Sequence, residues 1–478
     1  MSALLDGRPQ GARPYKISQI GTSKLNAFLS ALAGRRIEFP TATSYSPVMN
    51  CQLESSLEHL LTTVSKTTAD ILDRALSDQD ISVDEATHLF AADGSDLLAM
   101  IAAADALRAR TVGDVVTYVI NRNINFTNVC VKACGFCAFS RGHLAEEGYF
   151  LPVEEIIRRA TEARDLGASE VCVQAGLAPG IDGWHYVNLC RAIKEALPDI
   201  HIHGFSPEEV LYGSTLAGVT VRDYLLALKD AGVGSLPGTS AEVLVEDIRR
   251  QVSPGRIGVG QWIELIETAH EVGIPTTSTI MYGYIEGARD KAAHLNILRD
   301  IQKRTGGITE FVPLSFVYEE APMFHRKPPA GLRRGASGAE VMKMYAVSRL
   351  MLNRYIPNLQ VSWVKEGPKL SQIALLAGAN DFGGTLINES ISTAAGASYG
   401  QLMKPSQFRD MIREMGRLPA ERSTTYQKIR VFESEEQHRD LLDEVNDPTE
   451  RFGSYQNLIE LKAYRFRDFY QEQKSEKH

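Results

Sequence analysis

From about residue 115 to residue 396 the chain alternates short apolar runs with amphipathic stretches, and that alternation leaves few architectures open. Strands are expected over 124–129, 170–174, 200–203, 233–236, 276–282, 310–314, 360–363 and 383–386. Between them, spacing of 3.6 residues predicts helices over 153–166, 184–197, 222–231, 260–272, 289–304, 338–354 and 368–377. Strands that alternate with helices pair in parallel through right-handed crossovers. Eight such units fit a closed α/β barrel, a (βα)8 fold of the TIM type. An open, doubly wound sheet would call for a glycine-rich phosphate turn after the first strand, and this chain has a cysteine-rich loop there.

The flanks read differently. Residues 1–52 form an extension rich in Ser and Thr, with six basic residues (Arg8, Arg13, Lys16, Lys24, Arg35, Arg36) against Asp6 and Glu38. It is read as a flexible lead, and its composition leaves a cleaved organelle transit segment open. Residues 53–114 are expected to be a helical lead-in. There Ser82-Val-Asp-Glu85 is a capping box, and Leu97, Leu98, Ile101 and Leu107 share one side of a helix over 96–108. Residues 115–396 would be the barrel. Residues 397–478 would be a helix at 405–415 and then a charged, partly disordered extension.

With 51 basic and 59 acidic residues, the net charge of −8 supplies no basic excess for a phosphate backbone, so nucleic acid is not an expected partner. No run of 18 apolar residues occurs, and no membrane partner is expected. Six cysteines in 478 residues are too few for a disulfide scaffold. Three of them, Cys130, Cys134 and Cys137, fall within eight residues in a C-x3-C-x2-C arrangement. Clustered thiols of this kind point to a metal site in a reducing, cytoplasmic compartment. A structural zinc site usually takes four protein ligands, and the only nearby supplement, His143, is six residues on. Three thiolates on an iron–sulfur cube would instead leave one iron open to a small molecule.

This spacing, with Phe136 before the third cysteine, resembles the signature of the radical S-adenosylmethionine (SAM) superfamily. VTYVINRNINFTNVC, CGFCAFSR, VQAG, HIHGFSPEEV, GSLPGTSAEVL, TSTIMYG, FVPLSF and GANDFGGTLINESI extend the resemblance over about residues 80–400. In order, they resemble the CofH family, the tyrosine-cleaving subunits of FO synthase in deazaflavin biosynthesis. Menaquinone-route enzymes acting on a futalosine are the nearest alternative; they carry PGGGAE where this chain has PGTSAE. A zinc-stabilised binding barrel without catalysis is the alternative from another class.

The resemblance implies a 4Fe–4S cluster on Cys130, Cys134 and Cys137, with SAM chelating the open iron. It implies transfer of a 4-hydroxybenzyl group from L-tyrosine to 5-amino-6-(D-ribitylamino)uracil. It also implies a partner in the other FO synthase subunit, a CofG-like radical SAM enzyme, and an electron donor such as ferredoxin or flavodoxin. Phe136, Gln174 and Gly176 would lie at the cofactor, with a plain tight turn as the alternative for Gln174-Ala-Gly176.

Ser240 and Glu242, after the fourth strand, are candidate contacts to the cofactor's hydroxyls or amine, with the start of a helix as the alternative for Glu242. Arg256 would pair with a carboxylate of cofactor or substrate, or else sit at the surface. His201 and His203 alternate with Ile200 and Ile202, so both imidazoles share one face. If the isoleucines pack outward, His203 faces the lumen as a candidate catalytic or substrate-binding group, or as a buried structural one. Asp381, Asn388 and Glu389 are expected at the barrel mouth as substrate contacts.

Overall fold

The computed structural model describes residues 63–132, 134–434 and 438–476. The expected extension over 1–52, and the start of the lead-in, lie outside them. Helices Lys66–Leu76, Val83–Ala91 and Gly94–Val112 make the lead-in. The second is entered through the capping box, in which Ser82 and Glu85 each accept from the other's backbone N–H.

Among the described residues ten strands follow: β1 Val115–Val119, β2 Asn121–Ile124, β3 Glu170–Val173, β4 His201–His203, β5 Val233–Ser235, β6 Thr276–Tyr282, β7 Ile308–Ser315, β8 Asp381–Gly384, β9 Leu418–Arg422 and β10 Lys428–Val431. Parallel ladders join β2–β3–β4–β5, β6–β7 and β1–β8. Parallel bridges at Leu236–Thr276, Phe311–Leu359, Gln360–Asp381 and Arg122–Ile387 carry the pairing round to the start. The result is the expected (βα)8 barrel, with the first strand divided into β1 and β2.

Several elements depart from expectation. The first strand lies earlier, over Val115–Ile124, and only Ile124 of the expected 124–129 segment belongs to it. Residues 125–129 are extended, but they pair with the chain just downstream through bridges Thr127–Phe150 and Val129–Arg141. Their alternation therefore reflects a local loop ladder, and Cys130 comes six residues after β2 rather than one after it. The seventh barrel strand shrinks to bridges at Leu359 and Gln360, because Trp363 already turns into a helical segment. The last strand starts at Asp381, two residues before the expected position.

The C-terminal extension, expected to be a helix and then a partly disordered charged stretch, carries further regular structure among its described residues. After helix Pro405–Glu414, β9 pairs in parallel with β1, with Val115 opposite Leu418, and β10 returns antiparallel beside it. Short helices follow, and Phe466–Glu476 is helical across most of the stretch expected to be disordered. Phe469 stacks on Phe150 with ring centroids 4.7 Å apart, and the Phe466 N–H donates to the Gly148 carbonyl. These contacts fasten the extension to the loop that follows the cysteines. Among the described residues no helix is long and apolar enough to cross a membrane.

Candidate active site

At the C-terminal ends of the strands, a cavity of about 270 Å³ opens beneath the cysteine loop, where barrels of this class keep their chemistry. Cys130, Cys134 and Cys137 all line it. The loop is held from three sides. The Cys130 N–H donates to the Arg141 carbonyl at 3.0 Å, Val131 N–H to Leu177 at 2.9 Å, and Gly135 N–H to Val252 at 2.8 Å. Gly176 allows the preceding segment to pack down, since a Cβ there would come within 2.3 Å of the Val129 carbonyl oxygen. Its small size thus serves the approach of the cysteine strand to the β3 loop.

No three Cys, His, Asp or Glu side chains among the described residues converge closely enough to hold a single metal ion. The three thiols instead border a shared volume, as ligands of a multi-iron cluster must. Burial pushes the Cys134 thiol up to about 12, with Arg256 acting in the opposite direction. Burial, then the neighbouring Cys130, raises Cys137, while N–H groups of Ser140 and Phe139 soften the effect. Metal ligation takes such thiols as thiolates, and iron supplies the positive charge that favours that form. The donor set fits a cluster with three protein ligands.

Beside the thiols stands a charged group built from the loops after β4 and β5. Arg256 pairs with Glu242 at 3.2 Å and Glu208 at 3.4 Å, donates to Ser240 Oγ, and approaches Cys134 Sγ at 3.6 Å. Burial works against the Arg256 charge, but Glu242, Cys134 and Glu208 outweigh it and hold its pKa above the ordinary value. Arg249 reaches Glu242 at 3.1 Å and the Ser240 and Ala241 carbonyls from below. Ser240 and Glu242 both have positive φ, at 62° and 42°. Non-glycine residues hold that conformation when surrounding contacts fix it, and such positions cluster at ligand sites. Arg256 is thus half-buried in the site rather than at the surface, and Glu242 is a cavity residue rather than a helix start.

Phe136 and Gln174 also line the cavity, and Phe136 lies 6.0 Å from the Arg256 guanidinium. Three further residues come from outside the sequence reading: Lys132, Glu208 and Glu209. Lys132 pairs with Glu208 at 3.1 Å. Glu209 accepts from the Ala175 N–H at 2.9 Å and from Ser206, tying the β3 loop to the β4 loop; burial raises it to about 7. Ser206-Pro-Glu-Glu209 is a capping box that opens helix Pro207–Ala217, and its two carboxylates also line the cavity.

The other candidates lie elsewhere. His203 faces the lumen as the alternation requires, with Ile200 and Ile202 buried outward, but it does not line the cavity. Its Nδ1 hydrogen-bonds Ser235 Oγ at 2.7 Å, and burial lowers it to about 4 against the pull of Glu170. Asp381 is not at the mouth. It opens β8 at the opposite end of the barrel, 2.5 Å from Arg422. Asn388 bonds Gln401, Arg159 and the Gly453 carbonyl at a second, outer cavity. Glu389 caps the short helix Ile391–Ala394 by accepting from Ser392 and Thr393 N–H groups. Both are held by the protein, outside the cysteine cavity's lining.

A model of the radical SAM superfamily matches residues 124–296, and one of the CofH/MqnC C-terminal region matches residues 305–435. The chain is 49% identical over 363 residues to the 5-amino-6-(D-ribitylamino)uracil–L-tyrosine 4-hydroxyphenyl transferase of Methanothermobacter thermautotrophicus, spanning 76% of this chain and 98% of that one. It is 47% identical over 352 residues to the protein of the same name from Methanocaldococcus jannaschii, spanning 73% and 97%. Among solved structures, the FeFe-hydrogenase maturase HydG from Carboxydothermus hydrogenoformans superposes with a TM-score of 0.58 at 15% identity, covering 80% and 87% of the two chains. Methylornithine synthase superposes at 0.54 and 18%, covering 73% and 97%. These two establish the fold alone. The three-thiol cavity, the barrel and the full-length relatives together place the chain in the radical SAM superfamily, in the family of the 5-amino-6-(D-ribitylamino)uracil–L-tyrosine 4-hydroxyphenyl transferases.

Proposed function

We propose that this protein joins L-tyrosine to 5-amino-6-(D-ribitylamino)uracil in the biosynthesis of the deazaflavin coenzyme FO. The products are 5-amino-5-(4-hydroxybenzyl)-6-(D-ribitylimino)-5,6-dihydrouracil, 2-iminoacetate, methionine and 5′-deoxyadenosine. The observation that carries this reading is the set of three cavity-lining thiols in a chain nearly half identical to transferases of that name along almost their whole length.

Cys130, Cys134 and Cys137 would hold the 4Fe–4S cluster, and Gln174, Ser240, Glu242 and Arg256 would face SAM. The bound pair supplies one-electron cleavage of the sulfonium bond and hence a primary radical able to remove a substrate hydrogen. The protein's share is positioning and exclusion. The closed sheet, Phe136 and Phe139 screen the cavity from water, as a reactive carbon radical demands. The Arg256–Glu242–Glu208–Lys132 group offers both charges at fixed places, matching a cofactor that carries an amine, a carboxylate and hydroxyls. Glu209 braces two cavity loops against each other.

A CofG-like radical SAM enzyme would take the adduct onward. A ferredoxin or flavodoxin would supply the electron, in a reducing cytoplasm. The C-terminal family model is shared with menaquinone-route enzymes, so a requirement for free tyrosine separates the two readings. Anaerobic incubation of the iron-loaded protein with SAM, reductant, ring-labelled tyrosine and the ribitylaminouracil tests the proposal. Label in a pyrimidine adduct, dependent on both substrates, is the expected result. Turnover of a futalosine with no use of tyrosine would refute it.

A further inference from the structure

The cavity lining holds two kinds of polar group. Beside the thiols stand mutually paired charges: Arg256 with Glu242 and Glu208, Lys132 with Glu208, and Arg249, just behind, with Glu242. The lining also has an apolar part, Met281, Leu314, Phe316 and Val317, and one further cation, Lys365, outside that paired set.

Lys365 reaches the cavity because of how the chain turns after the seventh strand. Its N–H donates to the Ser362 carbonyl at 3.0 Å, and Trp363 anchors the turn by donating to the Gly384 carbonyl at 2.9 Å. Gly367, at φ 77°, then redirects the chain into the following helix.

No carboxylate lies within ion-pairing distance of the Lys365 ammonium among the described residues, and nothing there accepts a hydrogen bond from it. Its nearest acidic neighbours are engaged elsewhere. Glu366 accepts from the Tyr282 hydroxyl at 3.2 Å. Glu389 caps the helix at Ser392. Burial pulls the lysine below its ordinary pKa, against the pull of both acids. A cation beside an apolar wall without a counter-charge is costly for a fold to keep, and an anionic ligand relieves that cost.

We infer that Lys365 binds the α-carboxylate of L-tyrosine, with the phenol ring against the Met281–Leu314–Phe316 wall. This inference rests on the proposed function and adds to it the residue that selects an amino acid. An aromatic amino acid needs an apolar surface and, at one end, a counter-charge for its carboxylate, and this lining provides both. The carboxylate of SAM has the same chemistry, and the two are told apart by which KM the lysine governs. The lysine also fixes where the amine lies, since amine and carboxylate share one carbon.

The test compares wild type, Lys365→Met and Lys365→Arg, each reconstituted with iron, in anaerobic turnover with tyrosine and with tyramine, which lacks the carboxylate. Loss of one charge-assisted contact should raise the tyrosine KM by about 10- to 140-fold in Lys365→Met. The same variant should cease to prefer tyrosine over tyramine, while the SAM KM moves far less than the tyrosine KM. Lys365→Arg should recover a good part of the preference. An unchanged preference in Lys365→Met would overturn the assignment, as would a SAM KM raised as much as the tyrosine KM, which would assign the lysine to the cofactor. Failure of the proposed function itself looks different, because wild type would then not consume tyrosine at all.

Discussion

The two ends of the barrel are built from similar residues and do opposite things. At the floor, where the strands begin, charges are matched. Arg422 lies 2.5 Å from Asp381 and 3.5 Å from Glu310, Tyr426 donates to Glu310, Thr117 donates to Asp381, and Asn121 donates to Glu170 at 2.8 Å. At the mouth, three thiols border an open volume and Lys365 has no ion-pair or hydrogen-bond partner for its ammonium among the described residues. Hydrogen bonds and counter-charges at the floor satisfy the polar groups, so that end closes the fold. At the mouth Arg256, Glu242, Glu208 and Lys132 are paired as well, but the thiols and Lys365 are left for groups from outside, and that is where chemistry can occur. Burial and acidity are therefore poor guides to a site, whereas missing partners are good ones.

That contrast can be broken from either end. The largest effect belongs to the thiols. Changing Cys130, Cys134 or Cys137 to Ala should abolish iron–sulfur absorbance and 5′-deoxyadenosine formation together, while Cys190→Ala should affect neither. Cys190 is fully buried outside the cavity, in helix His185–Ala196. Iron and sulfide assays with product quantification decide it, and a Cys190 variant without iron would contradict the assignment.

The next effect belongs to the floor. Arg422→Ala leaves Asp381 and Glu310 buried without their cation, which should cost about 3–5 kcal/mol of stability. Denaturant unfolding measures it. Below its lowered midpoint the variant should still bind a full complement of iron, since no floor residue lines the cavity. Loss of iron from the folded variant would show that the two ends are coupled.

The smallest effect concerns His203, between the two ends. Burial holds its pKa near 4 in the fold, against 6.5 for an ordinary histidine. Between those values the unfolded chain takes a proton that the folded protein refuses, so stability falls as pH drops from about 6.5 toward 4. Relative to His203→Gln, wild type should lose about 3 kcal/mol across that window, one pKa unit being worth 1.36 kcal/mol. Parallel unfolding curves at pH 7 and pH 4.5 check it, and a constant difference between the two proteins would contradict this placement of the ring.

How much of this was legible follows from where period and burial agree. In β3 and β4 they do: Val171, Val173 and Ile202 pack outward, so Glu170, His201 and His203 had to face in. The cysteine spacing needed no fold to be read. β9 escaped because its buried positions include Glu421 and Arg422, and a strand whose inward residues are charged has no hydropathic alternation to find. Asp381 belongs to the floor on either set of limits, since it precedes 383–386 and opens Asp381–Gly384. Grouping it with Asn388 and Glu389, which follow the strand, is what placed it at the wrong end. Lys365 and Glu208 could not be read as site residues, because each sits in a turn or cap whose direction only tertiary contacts set.

The account stands most directly on three protein ligands holding a cluster with one open iron at the barrel mouth. Electron paramagnetic resonance of the dithionite-reduced, iron-loaded protein, recorded before and after SAM is added, tests that arrangement. The predicted result is about four irons per chain and a reduced 4Fe–4S signal whose g-values shift when SAM occupies the open iron. A signal indifferent to SAM, or a protein that binds one zinc and no sulfide, would contradict it.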